Sequence, residues 1–152
     1  MFQSVDIIRP ICQLLNPEYD GIENFEALMA LGNLATLNES TRSRILKETE
    51  FINAIEQYMF EDHAMIRRAS VQCWTNLCQS PLMVKRVEGK NDKVKYIVLL
   101  CSDDDDMEIV KAASGALAML TSQSSKCCSK IFEVSIQYTP FEYLSISGLK
   151  LQ

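Results

Sequence analysis

The sequence predicts an all-α solenoid built from stacked helical repeats, and the first observation is an internal repeat. The stretch FEALMALGNLATLN (25–38) returns 43 positions later as RASVQCWTNLCQS (68–80), and after a further 43 as KAASGALAMLTSQ (111–123). The aligned columns include Ala30, Cys73 and Ala116; Leu31, Trp74 and Leu117; and Leu34, Leu77 and Leu120. A fixed period of roughly 40–47 residues is typical of helical repeat proteins.

The second observation is a helical period before each copy. Ile8, Ile11, Cys12 and Leu15 stand at i, i+3, i+4 and i+7, which is one face of an α-helix. Shifts of 43 and 86 positions again give apolar or aromatic residues, namely Phe51, Ala54, Ile55 and Tyr58, and then Val94, Ile97, Val98 and Cys101. The predicted helices are 5–15, 25–37, 39–47, 51–59, 64–78, 81–87, 91–101, 105–121 and 125–132, with Asn24 as the N-cap of the second. Each unit thus has a short first helix, a second helix and a long third helix.

These helices predict about three repeats, at roughly 1–38, 39–80 and 81–123, with a fourth starting at 124–132. The segment 133–152 alternates apolar and polar residues, so the helical pattern is expected to end near Phe132, and the tail to be a capping strand, an alternative end or disordered. The chain begins inside a repeat, where Ile7, Ile8, Ile11 and Leu14 do not supply the polar face of a terminal repeat. A longer solenoid, or self-association through exposed repeat ends, is therefore expected.

Composition narrows the class of protein. Hydrophobic residues make up 47% and charged residues 23%, and the net charge is −5. No basic stripe is visible, so no nucleic-acid partner is predicted. Neither a signal peptide nor a membrane-length apolar run occurs, which favours the cytoplasm and no membrane association. The six cysteines are therefore predicted to be reduced and structural.

No cofactor, metal site or enzymatic activity is predicted. The run Asp103–Asp106 lacks the alternating oxygens and glycine of a calcium loop, and is interpreted as a solvated loop that caps the next helix. His63 is predicted to be an exposed loop residue without a partner for acid–base chemistry. No nucleophile elbow or phosphate-binding loop occurs.

The repeats resemble those of the armadillo family. The segments NESTRSRILKE, YMFEDH, NDKVKYIVLLCSDDDD and AASGALAML are similar, more specifically, to the UCS-domain myosin chaperones. The resemblance implies a right-handed superhelix whose third helices line a concave groove. It also implies an ATP-independent protein that assists the folding or assembly of myosin motor domains, for instance in muscle.

In armadillo proteins a third-helix asparagine bonds the backbone of an extended partner, and by resemblance that column is Asn33, Asn76 and Met119. Met119 departs from the pattern because a thioether cannot bond a peptide in this way. The candidate groove residues are Phe25, Met29, Asn33, Arg68, Gln72, Asn76, Gln79, Lys111 and Met119. Asn76 and Arg68 are expected to matter to client binding and not to folding. Trp74 aligns with leucines and is predicted to be core, which disfavours a nuclear-import adaptor.

Three functional hypotheses remain open from the sequence. The first is the protein-binding part of a UCS-type chaperone with a myosin motor domain as client. The second is a generic armadillo adaptor that binds an extended peptide in its groove. The third is a truncated structural or assembly fragment without chaperone activity.

Overall fold

The chain folds into a solenoid of α-helices. The computed structural model describes residues 7–89, 93–102 and 105–138, and no strand occurs within these ranges. The helices are α1 (Ile8–Gln13), α2 (Gly21–Leu37), α3 (Glu39–Lys47), α4 (Thr49–Tyr58), α5 (Ala64–Leu77), α6 (Pro81–Glu88), α7 (Val94–Leu100), α8 (Met107–Gln123) and α9 (Ser125–Tyr138). Helices α3–α5 and α6–α8 are complete three-helix units. Helices α1 and α2 are the second and third helices of a unit, and α9 is the first helix of another.

The long helices α2, α5 and α8 stack side by side, and each carries buried apolar residues. Leu31 and Leu77 are fully buried and Trp74 is 1% exposed, so the prediction that Trp74 is a core residue is confirmed. Leu120 in α8 is also fully buried, whereas Leu34 in α2 is only partly buried. Burial therefore follows the 43-residue columns in the middle of the stack and weakens toward both ends, at Leu34 in α2 and at Leu117 in α8.

Polar contacts tie the long helix α5 to α8. The Thr75 hydroxyl donates to the carbonyl of Ala112 at 3.0 Å, and the Gln123 amide donates to the carbonyl of Cys78 at 2.9 Å. The second contact satisfies a carbonyl at the C-terminus of α5 that has no partner within its own helix. Stacking thus fixes the helices through their backbones as well as through apolar contacts.

The start of α2 differs from the prediction. The helix begins at Gly21, and its N-cap is Asp20, which forms a capping box with Glu23. Asn24, predicted as the N-cap, is instead buried within the helix. Its Oδ1 accepts hydrogen bonds from the Asn16 backbone N–H and from the Tyr58 hydroxyl, both at 2.9 Å. Asn24 therefore joins the preceding loop and α4 to α2. Its buried side-chain amide is satisfied by hydrogen bonds, including the long-range one from Tyr58.

The predicted end of the helical pattern near Phe132 is also wrong, because α9 continues through Tyr138. Ile131 is buried, and Val134, three residues later, packs on the core. This i, i+3 contact follows the helical period, although the local alternation of apolar and polar residues suggested a strand. The rest of the predicted tail, 139–152, lies outside the described residues, as do 1–6 and 90–92.

Candidate protein-binding face

The exposed sides of α2, α5 and α8 form one continuous surface, here called the long-helix face. It contains the nine groove residues predicted from the sequence. Six of these are exposed: Met29, Asn33, Arg68, Gln72, Gln79 and Lys111. Asn76 is half-buried, and Phe25 and Met119 pack partly against the core. The register therefore places these residues on neighbouring helices, apart from Gln79, which follows the end of α5, and Phe25 and Met119 contribute less exposed surface than the rest.

Arg68 is held by an ion pair within the protein. Its Nε donates to both oxygens of Asp106, at 3.0 and 2.8 Å, and Asp106 is only 5% exposed. Asp106 is also the N-cap of α8, accepting the backbone N–H groups of Glu108 and Ile109. The Arg68 hydrogen bond lowers the pKa of the Asp106 carboxyl, and the helix N–H groups act in the same direction against burial. Arg68 thus links α5 to the start of α8.

The Asn76 side chain also forms hydrogen bonds within the protein. Its Nδ2 donates to the Gly32 carbonyl of α2 at 3.0 Å, and its Oδ1 accepts from the Gln72 amide at 3.0 Å. Both ends of the side-chain amide are therefore used inside the protein. The expectation that Asn76 and Arg68 act in binding without affecting folding disagrees with these contacts, because each joins two repeat units.

The side chains at the α2 end of the face make fewer contacts within the protein. The Asn33 side-chain amide makes no hydrogen bond to a described residue, and Met29 is 44% exposed. Two further apolar residues, absent from the sequence-based candidates, lie on the same face: Ile22 is 66% exposed and Met65 is 46% exposed. They occupy one 43-residue column, eleven positions before the asparagines. That signal was present in the sequence, but exposure could not be read from it.

At the α8 end, charge is again paired internally. The Lys111 Nζ lies 2.8 Å from the Glu108 Oε1, one turn earlier in the helix. This contact lowers the pKa of Glu108. Since the Arg68 charge is also balanced, the second and third units present a largely neutral polar surface apart from Met65 at the start of α5, whereas the first unit presents an apolar one.

The remaining sequence-based candidates carry no visible reactive chemistry. His63 is exposed in the connection before α5. Asp106 caps α8 as predicted, but it is buried against Arg68 and not solvated as expected, while Asp103 and Asp104 lie outside the described residues. In the described part of the chain, no group of three or more His, Cys, Asp or Glu side chains could hold a metal ion. None of the described helices is both long and apolar enough to cross a membrane.

None of the six cysteines, all of which lie in the described part of the chain, forms a disulfide. Cys73 is fully buried in the α2–α5 interface, and burial raises its pKa to about 12. A thiol with so high a pKa is not ionised at neutral pH and behaves as a small apolar side chain. Cys12, Cys78 and Cys127 are also buried, as expected of structural thiols, whereas Cys101 is partly buried and Cys128 is exposed.

Comparison with known proteins identifies the family. No protein-family model matches the chain. The chain is 45% identical over 135 residues to protein unc-45 homolog B of Xenopus tropicalis, covering 88% of this chain and 14% of that protein. A solved structure of UNC-45 from Drosophila melanogaster superimposes with a TM-score of 0.76 at 43% identity, covering 91% of this chain and 18% of that one. The chain is a relative of the UCS-domain myosin chaperones.

A second solved structure shows molecular features of the UNC-45 chaperone that are critical for binding and folding muscle myosin. It superimposes with a TM-score of 0.79 at 28% identity, covering 91% of this chain and 15% of that one. A designed armadillo repeat protein matches at 0.74 with 18% identity over 84% of this chain and 52% of its own, which supports the fold alone. The fold is thus an armadillo-type solenoid. The chain spans about one seventh of the length of its UCS-domain relative from Xenopus tropicalis.

Proposed function

We propose that this chain is a protein-binding segment of a UCS-type myosin chaperone, and that its long-helix face contacts the myosin motor domain. The observation that carries the proposal is the exposed apolar group Ile22, Met29 and Met65, here called the apolar patch. Ile22 and Met29 are seven residues apart on α2, and Met65 stands at the position of Ile22 on the adjacent helix. The patch is not used by the core and faces outward on stacked, rigid helices.

The chemistry of the patch suits an incompletely folded client. Thioether side chains adapt to irregular apolar surfaces, and they recur at surfaces that bind several partners. The nearby charges of Arg68 and Lys111 are balanced by Asp106 and Glu108. We therefore expect recognition through exposed apolar groups of the motor domain more than through charge. Contact of this kind needs no cofactor or nucleotide and suits a cytoplasmic protein.

The peptide-adaptor alternative has one supporting feature, the Asn33 amide. An extended peptide held by an asparagine ladder needs a free amide on successive helices. Asn76 instead bonds Gly32 and Gln72, and the third position of the column is Met119. Only the first unit offers the required group, so the proposal favours a folded or partly folded client over a short linear peptide.

The test is the double substitution Ile22→Ser with Met65→Ser. The parent chain is expected to suppress heat-induced aggregation of a muscle myosin motor domain, and the double variant to lose most of that effect. The matched control is Leu82→Ser with Leu99→Ser, which alters two leucines of similar exposure, 42% and 43%, outside the long-helix face. Circular dichroism should show the same helix content in all three proteins.

The outcomes separate the hypotheses. If the patch variant protects the motor domain as well as the parent does, the long-helix face is not the client site. If the control loses protection equally, loss of any exposed apolar side chain explains the effect. If the parent neither binds nor protects the motor domain, this chain lacks the activity, and binding of short peptides then tests the adaptor hypothesis against that of an inactive fragment.

A further inference from the structure

The outer side of α2 carries a groove that repeats an internal interface. The groove has a volume of about 410 Å³ and is lined by Ile7, Ile11, Ala30, Asn33, Leu34 and Leu37. Its lining is apolar apart from Asn33, and Leu37 is 65% exposed. This surface shares Asn33 with the long-helix face but contains none of the residues of the apolar patch.

The 43-residue register identifies the kind of surface that this is. Ala30 and Leu34 correspond to Cys73 and Leu77 of α5, which are fully buried where α5 packs against α2. The same positions in α8 are Ala116 and Leu120, which are fully buried against α5. In both internal interfaces, these positions receive the preceding long helix. The α2 groove is therefore shaped for the outer side of another long helix.

Asn33 adds a specific anchor to the groove. Its counterpart Asn76 donates to the Gly32 carbonyl of the preceding long helix at 3.0 Å. Asn33 lies in the groove wall, and its side-chain amide has no hydrogen-bond partner among the described residues. A helix placed as α2 is placed on α5 would present a backbone carbonyl to it.

The opposite end of the solenoid offers a helix with a matching outer side. Ala118 of α8 stands at the position of Gly32 and is exposed, and Leu99 of α7 stands at the position of the buried Glu56 and is 43% exposed. On α9, Phe132 is 65% exposed. The positions that are covered by a following unit inside the stack are thus uncovered on α7 and α8.

The helices at the two ends also belong to complementary positions of the three-helix repeat unit. The described helices run from a second helix, α1, to a first helix, α9. If α1 and α2 of one copy follow α9 of another, the three helices complete one repeat unit. We propose that the α2 groove binds the α7–α9 end of a second copy of this chain, with Asn33 donating to the Ala118 carbonyl of that copy.

The interface is heterologous, so each copy uses a different surface and each assembly keeps a free surface at both ends. Such contacts produce open chains unless a rotation closes them. Ser114 occupies the position of Leu28 and Val71, both fully buried inside the stack. Since this position is polar, the contact buries less apolar surface than an internal interface, and association is expected to be weak and concentration-dependent. This inference does not depend on the proposed myosin client.

The experiment blocks each end separately. Leu37→Arg places a positive charge at an exposed position in the groove, and a positive charge is favourable at the C-terminus of α2. Ala118→Arg places a positive charge at an exposed position on the outer side of α8. Analytical ultracentrifugation should show the mass of the parent rising steadily with concentration, and each variant alone remaining a monomer. An equimolar mixture should form a dimer and no larger species, because only one intact groove and one intact α8 surface remain. Circular dichroism checks that both variants are folded.

Met65→Asp is the matched control. It places a charge on the long-helix face, outside both end surfaces, and should leave self-association unchanged. A parent that stays monomeric up to its solubility limit would overturn the proposal. Self-association by the Ala118→Arg variant alone would indicate that two grooves pack together, and a mixture that stays monomeric would show that the two blocked surfaces do not contact each other. Either result rejects the head-to-tail contact.

Discussion

The helices α2 and α5 carry the same repeat positions in different surroundings. Leu77 is fully buried and Leu34 is partly exposed; the Asn76 amide bonds the preceding helix, and the Asn33 amide bonds no described residue. The caps of the long helices differ in the same way, since Asp106 receives Arg68 from the preceding unit, whereas Asp20 lies exposed at the start of α2. In each pair, the residue in α5 or α8 contacts the preceding repeat, and its counterpart at α2 lacks that contact among the described residues. A column therefore defines a contact that exists only where the neighbouring unit is present.

The largest expected difference is between Leu77→Ala and Leu34→Ala. Truncating a fully buried leucine costs about 2–5 kcal/mol, a large share of a typical stability of about 5–15 kcal/mol. Leu34 is only partly covered, so its truncation removes fewer contacts and should cost clearly less. Urea unfolding followed by circular dichroism measures both free energies. Equal losses would show that the α2 groove is packed as tightly as the middle of the stack.

The sequence predicts the part of this comparison that depends on local periodicity. The fold class, the order of the helices and the buried position of Trp74 follow from a 43-residue column of apolar residues. The hydrogen bonds of Asn24 and Asn76 do not, because their partners Tyr58 and Gly32 lie 34 and 44 positions away. An asparagine before a helical stretch has the same local signature whether it caps the helix or is buried against a tyrosine.

The candidate site was predictable to a similar extent. The register placed the nine residues on one face, and the family resemblance supplied the idea of a groove. It could not show that Arg68 and Asp106 form an ion pair, since they are 38 positions apart. It also gave no reason to choose Ile22 and Met65, because an apolar residue on a helix is core more often than it is exposed, and only packing distinguishes the two.

A smaller difference is expected between Asn76→Ala and Asn33→Ala. The Asn76 hydrogen bond to the Gly32 carbonyl should contribute about 0.5–1.5 kcal/mol, as a typical intramolecular hydrogen bond does. Asn33→Ala removes no hydrogen bond between described residues, so the monomer should unfold at nearly the same urea concentration as the parent. The measurement is made at low protein concentration to avoid self-association. A loss at Asn33 as large as that at Asn76 would contradict the structural difference between the two amides.

The smallest expected effect is a pH dependence at the start of α8. The Arg68 contact lowers the pKa of Asp106 in the folded state below its unfolded value, which is about 3.9 for aspartate. The ionised carboxylate therefore stabilises the fold above that pH, and its contribution is lost as pH falls through the lower folded-state pKa. Asp106→Asn keeps a side chain that can cap the helix but removes the charge.

The variant should therefore be less stable than the parent at neutral pH, and the difference should shrink as the pH falls below about 4. Urea unfolding across that range measures the difference directly, and comparison with the parent removes the contributions of other carboxyl groups such as Glu39 and Glu108. Asp20→Asn is the control, because it makes the same chemical change at the equivalent N-cap of α2, where no described arginine forms an ion pair with the carboxylate. If both substitutions give the same pH profile, the charge at the cap matters in itself, and the Arg68 contact from the preceding repeat does not stabilise the α8 end of the stack.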